Sequence, residues 1–226
     1  MTPAKIQLLL FDWDGVICDS LGVFRSLFLR INSETSMQTG DFRAFMCQQH
    51  IRGEPILPGR LSDYAEAFAQ CDLYPDMKEL LLELKEQDVR LAVVSASPFE
   101  TIDLQLRTHG LPDIFDAVYS SDDACHKPEP QLLKRISSRF RVREEQTLFV
   151  GDQVSDVWFV QSTRYRKLFA TYGFHPEAAL REAARAAGLT GEIFFDTSNA
   201  LCKELRAIVN HSERNNRHLI GSPKHA

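Results

Sequence analysis

No two cysteines in this chain are spaced for a zinc knuckle or a compact disulfide framework. Its five, Cys18, Cys47, Cys71, Cys125 and Cys202, are odd in number and widely separated, so a reducing compartment, the cytoplasm, is the expected location. A leader or membrane anchor is not expected either, because the first apolar run spans only Leu8 to Phe11 and then meets Asp12 and Asp14. Positive charge is not in excess. With 26 Lys and Arg against 31 Asp and Glu, the net charge is −5, which offers polyanions no overall attraction, so neither nucleic acid nor a membrane is an expected partner. Internal repeats and low-complexity blocks are missing too. What is present is the make-up of a globular protein: 226 residues, 44% hydrophobic and 25% charged, enough for one good core and a small second module. An enzyme acting on a small molecule fits these totals, as a monomer or homodimer; Trp158 suits a dimer contact and core packing equally.

Short apolar runs bounded by turn residues alternate with amphipathic stretches, the pattern of parallel strands covered by crossover helices. It predicts strands at Ile6 to Phe11, Val89 to Ser95, Ala117 to Ser120, Thr147 to Gly151, Lys167 to Thr171 and Glu192 to Phe195. The intervening helices are expected at Met77 to Glu86, Phe99 to Thr108, Glu129 to Phe140, Val154 to Arg164, Glu177 to Ala187 and Asn199 to Val209. The fold class is therefore α/β, a doubly wound parallel sheet. From about Cys18 to Tyr74 the rhythm breaks. Phe24, Leu27, Phe28 and Ile31 share a helical face there but no strand is evident, so the interval reads as a helical insertion, and Tyr74-Pro75-Asp76 reads as its exit hinge. From Asn210 the chain loses apolar periodicity and reads as a flexible tail, 210–226.

Four segments at strand ends carry groups suited to chemistry. In Phe11-Asp12-Trp13-Asp14-Gly15, two carboxylates stand one residue apart where a buried strand stops, a costly place for charge unless a partner such as a metal is near; a solvated turn at Asp14-Gly15 is the plainer reading. In Gly151-Asp152-Gln153-Val154-Ser155-Asp156, a strand-tip acid is followed four residues on by another that a helix turns back towards it, although Asp152 also suits an ordinary N-cap. Ser95 puts a hydroxyl beside a helix start, a site for phosphate, while Ser97, Pro98 and Glu100 read as a capping box. Lys127, before Pro128, is a cation that taken alone suits a solvated surface.

The conjunction of Asp-x-Asp-Gly, a strand-end Ser, Lys-Pro and Gly-Asp-x-x-x-Asp, in that order over about 145 residues, resembles the haloacid dehalogenase superfamily, in particular its phosphoglycolate phosphatase-like branch. The likeness extends to Tyr74-Pro75, Gly110-Leu111, Phe115-Asp116 and Thr171-Tyr172-Gly173-Phe174, and covers residues 5–209. It implies a Rossmann-like core formed by 1–17 and 76–209, with a small all-helical cap, 18–75, inserted after the first strand. It also implies a Mg²⁺-dependent hydrolase of a small-molecule phosphate ester. Asp12 would be the nucleophile that forms an aspartyl-phosphate, and Asp14 the general acid and base. Mg²⁺ would be held by Asp12, the Asp14 backbone carbonyl and Asp152, with Asp156 orienting the metal's surroundings or Lys127, and with Lys127 and Ser95 on the phosphate oxygens. Asp14 argues against carbon–halogen cleavage, since a halide leaves without a proton.

Two departures stand out. Relatives often carry an asparagine where this chain has Ala96, so Ser97 or backbone amides are candidates to replace it; after Asp156, Val157, Trp158 and Phe159 replace an alanine-rich stretch. Substrate choice is expected from the cap, whose arginines are Arg25, Arg30, Arg43, Arg52 and Arg60; Arg52, in an expected loop, is the first candidate to bind a second anion on a small phosphorylated acid or sugar. The alternatives are a sugar phosphomutase of the same family, or a family member of low activity serving as a binding or signalling protein. A phosphonate hydrolase of the family would need a cap lysine, and none lies between Cys18 and Tyr74. A phospho-accepting receiver domain would be shorter and lack the insertion.

Overall fold

The computed structural model describes residues 4–33, 36–87, 89–190 and 193–220. Six strands, β1 (Leu8–Phe11), β2 (Arg90–Val94), β3 (Ala117–Tyr119), β4 (Thr147–Gly151), β5 (Arg166–Ala170) and β6 (Ile193–Phe195), make one sheet. Every neighbouring pair is parallel, in the order β3-β2-β1-β4-β5-β6. Parallel neighbours need crossovers, and helices supply them: α4 (Met77–Glu86), α5 (Phe99–Thr108), α6 (Pro130–Phe140), α7 (Val154–Val160) and α8 (Glu177–Ala186), with α9 (Ser198–Ile220) closing the chain. Between β1 and α4 lie α1 (Leu21–Ile31), α2 (Thr39–Arg52) and α3 (Ala65–Phe68).

Successive strand residues face opposite sides, so each strand feeds two cores. Leu9, Phe11, Leu91, Val93, Leu148 and Val150 pack with Leu80 and Leu84 of α4, Ile102 of α5 and Leu205 of α9. Leu8, Leu10, Ala92, Phe149 and Phe169 pack with Ile136 of α6, Val157 of α7 and Leu180 of α8. Each such side chain contributes roughly 1.5–3 kcal/mol by leaving water, which is why both faces of the strands must be apolar. The α7 segment obeys the same division, with Val157, Phe159 and Val160 buried and Trp158 40% exposed.

The register brings the chemistry-bearing tips together. Phe11 stands opposite Val93 on one side and Val150 on the other, so the chain leaves β1, β2 and β4 at one level. The path runs outward from β1 to β3 and then returns to β4 on the far side of β1, which places the switch point, and the crevice that goes with it, between β1 and β4.

The segment between β1 and α4 is helical. Leu21, Phe24 and Leu27 are buried, and Phe28 packs its ring on Phe42 and Phe45 at 5.5 and 4.9 Å between centroids; Ile31, the last residue of the expected apolar face, is 43% exposed. The chain enters and leaves this segment side by side, Asp19 N–H donating to Asp72 O and Tyr74 N–H to Ile17 O, both at 2.9 Å.

Two helix ends differ from the sequence expectation by more than one residue. Helix α7 stops at Val160 instead of Arg164, because the Thr163 amide and hydroxyl both take the Val160 carbonyl and turn the chain. Helix α9 runs past Val209 to Ile220, through the start of the expected flexible tail. No glycine or proline interrupts this stretch, and a missing apolar face removes a docking surface without removing backbone hydrogen bonds. The remainder of that tail, 221–226, lies outside the described residues. All five cysteines are free of disulfides, and among the described residues no helix is long and apolar enough to cross a membrane.

Candidate active site

Asp12 follows β1 directly and is 2% exposed. Its Oδ1 accepts the Trp13 amide at 2.7 Å and its Oδ2 accepts Lys127 Nζ at 2.6 Å. Trp13 is itself pinned in the core by its indole N–H to Gln105 Oε1 at 2.6 Å, so the carboxylate inherits a fixed orientation. Lys127, buried before α6, also pairs with Asp156 Oδ1. The bland readings of Asp12 and Lys127 as solvated groups therefore fail. Burial pushes the Asp12 carboxyl up to about 7 against the opposing charge of Lys127, with Asp156 and Asp14 adding to the rise. Burial works to lower Lys127, but the carboxylates of Asp12 and Asp156 outweigh it and hold the ammonium above its ordinary value.

Asp152 stands at the tip of β4 and is not a cap. The N-cap of α7 is Gln153, and the acid serving that helix end is Asp156, whose Oδ2 accepts the amides of Asp152 and Gln153, both at 2.9 Å. Asp152 Oδ2 accepts the Phe174 amide at 2.6 Å, while Asp152 Oδ1 is buried without a hydrogen-bond partner. Burial, with Asp12 and Asp156 close by, raises this carboxyl well above the usual range. Room for it comes from glycines: a Cβ on Gly15, whose φ is +79°, would lie 2.0 Å from Asp152 Oδ2, and one on Gly173 would lie 2.4 Å from the same oxygen.

Oxygens of Asp12, Asp152 and Asp156 lie within 4.8 Å of one another. Three buried carboxylates against the single ammonium of Lys127 leave an excess of negative charge, and Asp152 Oδ1 lacks a partner. A hard divalent cation, which takes oxygen ligands, fits both deficits. The side chain of Asp14 is not in this group; any share it has in a metal would come through its backbone carbonyl.

The Asp14 carboxylate instead accepts two serine hydroxyls, Ser20 Oγ at 2.6 Å on Oδ1 and Ser97 Oγ at 2.5 Å on Oδ2. Burial raises its pKa, and the two hydroxyls with Lys127 oppose the rise. The Ser97 bond corrects the capping-box expectation: α5 has no side-chain cap, Pro98 occupies the N-cap position, and the Ser97 hydroxyl belongs to the site. The sequence offers Ser97 as a replacement for the asparagine absent at Ala96, but nothing in it pairs Ser97 with Asp14. Ser95 is buried at the end of β2, its Oγ accepting the Ser97 amide at 3.0 Å.

Asp12, Asp14, Ser95, Lys127 and Gln153 line one cavity of about 520 Å³ from the sheet side, and Phe24, His50 and Glu54 line it from the inserted segment. Arg52 does not line it. Helix α2 continues through Arg52 and turns only at Gly53, in the left-handed region, so Arg52 points about 200° around the helix from His50. It is exposed, 3.9 Å from Glu54. His50 and His175, which the sequence reading passed over, meet at 3.0 Å although 125 residues apart, and no local pattern announces such a pair.

The chain is similar to known proteins in sequence and in fold. The family described as haloacid dehalogenase-like hydrolase matches residues 9–168. A phosphoglycolate phosphatase of Vibrio vulnificus is 28% identical over 207 residues, covering 77% of this chain and 88% of its own. One from Vibrio cholerae serotype O1 is 31% identical over 196 residues, covering 76% and 87%. The solved structure of a haloacid dehalogenase-like hydrolase from Streptococcus pneumoniae superposes with a TM-score of 0.67 at 18% identity, covering 88% of this chain and 98% of that one, a likeness of fold. With the four motif segments meeting at one crevice, the chain belongs to the haloacid dehalogenase-like hydrolase family, in its phosphoglycolate phosphatase-like branch.

Proposed function

We propose that the chain is a Mg²⁺-dependent phosphate-monoester hydrolase that works through an aspartyl-phosphate on Asp12. The observation that carries this reading is the convergence of Asp12, Lys127, Asp152 and Asp156 below a cavity that Asp14 also lines. Lys127 Nζ and the Ser95 hydroxyl bind phosphoryl oxygens, holding phosphorus in line with the Asp12 carboxylate. The Asp12 oxygen forms a bond to phosphorus as the ester P–O bond breaks, and the leaving oxygen takes the proton of Asp14. Water then attacks the same phosphorus, gives its proton to Asp14, and releases inorganic phosphate with the Asp12 carboxylate restored. Burial favours the protonated Asp14 that the first step needs, and Ser20 with Ser97 steadies the carboxylate that remains. Mg²⁺, held by Asp12, Asp152 and the Asp14 backbone carbonyl with Asp156 beside them, supplies positive charge that offsets the repulsion between carboxylate and phosphate.

Helices α1 to α3 act in this reading as a cap, which Phe24, His50 and Glu54 at the cavity support. Their closure over the cleft keeps bulk water from the aspartyl-phosphate until the leaving group has gone. A panel of phosphate monoesters, assayed for free phosphate and for isomerised sugar phosphate, tests the proposal. Release of free phosphate that requires Mg²⁺ and falls at least about 10³-fold in Asp12→Asn is expected. Turnover that survives Asp12→Asn or chelation would reject it.

A further inference from the structure

The cap side of the cavity has an unusual charge pattern. Its polar side chains are His50 and Glu54, and among the described residues lining the cavity the only cation is Lys127, already committed to Asp12 and Asp156. Once a phosphoryl group has taken Lys127 and Ser95, no other cation among the described lining residues faces the rest of the substrate; Arg52, 3.9 Å from Glu54, does not line the cavity.

The protonation of His50 follows from its partners. The Val154 amide donates to His175 Nδ1 at 3.0 Å, so a neutral His175 carries its hydrogen on Nε2. That nitrogen lies 3.0 Å from His50 Nδ1, which must therefore accept, leaving the His50 hydrogen on Nε2. Burial keeps both rings neutral, lowering His175 to about 3 and His50 to about 4. Arg43 steadies the relay by donating to Thr171 O at 2.6 Å and His175 O at 2.9 Å. On this tautomer His50, which lines the cavity, carries one N–H donor on Nε2 and no charge, and Glu54, exposed and 3.9 Å from Arg52, carries a carboxylate acceptor.

A hydroxyl both donates and accepts, so it can take the His50 N–H and give its own hydrogen to Glu54. A carboxylate can take the His50 N–H but meets Glu54 as a like charge. We infer that His50 and Glu54 select the leaving group, and that the preferred ester carries an uncharged, hydroxylated leaving group, a polyol or sugar, in preference to a carboxylated one. The inference rests on the phosphatase reading.

The test compares glycerol 1-phosphate and glucose 6-phosphate with phosphoglycolate. Binding to the Mg²⁺-loaded Asp12→Asn protein, measured by calorimetry, reads the preference without turnover, so it is informative even if the phosphatase reading fails in the activity assay. The hydroxylated esters are expected to bind about tenfold or more tightly than phosphoglycolate, the scale of a like-charge contact at a partly open site. Adding Glu54→Gln to that protein should narrow the ratio and Glu54→Lys should reverse it; Glu54 is exposed, so neither change threatens the fold. His50→Ala should weaken the hydroxylated esters, and His50→Gln, which keeps an N–H donor, should restore part of the loss. Tighter binding of phosphoglycolate by the unmodified cap, or a ratio that Glu54→Gln leaves unmoved, would overturn the inference.

Discussion

At position 15 any side chain would intrude on the acid cluster. Gly15 has φ +79°, and its added Cβ would lie 2.0 Å from Asp152 Oδ2, so alanine meets both a left-handed backbone penalty of about 1–2 kcal/mol and a collision with a carboxylate that has nowhere to retreat. Gly15→Ala is expected to lower the melting temperature and to abolish any rise on adding Mg²⁺. A variant that melts like the parent and still responds to Mg²⁺ would show that the crowding is relieved cheaply. The two acids of the first motif divide their partners: Asp12 is turned to Lys127, whereas Asp14 is turned to Ser20 and Ser97.

Helix α2 is tied to the distant crossover after β5, as α1 is through Phe24 against Phe174 at 5.5 Å between centroids. Arg43 spans the gap with its two bonds to Thr171 O and His175 O, and His50 reaches His175 one or two turns further along the helix. Arg43→Ala removes a donor from two carbonyls in a partly buried place, a loss of roughly 1–3 kcal/mol. The effect should be local: amide hydrogen exchange in α2 speeds up, while β1 and β4 keep their protection. Exchange in α2 that did not change would mean that Phe28, Phe42 and Met46 alone hold the helix in place.

For the molecule as a whole, the acid cluster is a source of instability that a cation relieves. The Asp12 carboxyl rises from 3.8 to about 7 on folding, chiefly through burial, so its penalty is absent below the unfolded value and grows as pH climbs through the folded one. Metal-free protein should therefore lose stability between about pH 4 and pH 7, and Mg²⁺ should restore it by mass action. Asp152→Asn removes a buried acid whose Oδ1 has no partner and whose ionised form burial disfavours. It is expected to stabilise the metal-free protein at pH 7 by on the order of 1 kcal/mol and to erase the Mg²⁺ response, both read by thermal unfolding with and without the ion. A metal-free Asp152→Asn protein less stable than the parent would contradict this account of the cluster.

The strands and most helices were written in local pattern: an apolar run such as Leu8–Phe11 has both faces to bury, and proline, glycine or serine marks where each element must stop. For the same reason the four motif segments could be placed at strand ends, and their family likeness read, before any coordinates. What only tertiary structure decided is where side chains go once the chain has left a strand. Ser97 turned to Asp14 instead of capping α5, and Arg52 fell outside the cleft while His50, two residues earlier, fell inside it. One residue along a helix rotates a side chain by about 100°, so small uncertainty in where α2 ends exchanges the inside for the outside. The His50–His175 contact joins residues 125 apart and carries no periodic signal, because it depends on how two loops and a helix are packed and not on the residues next to either histidine.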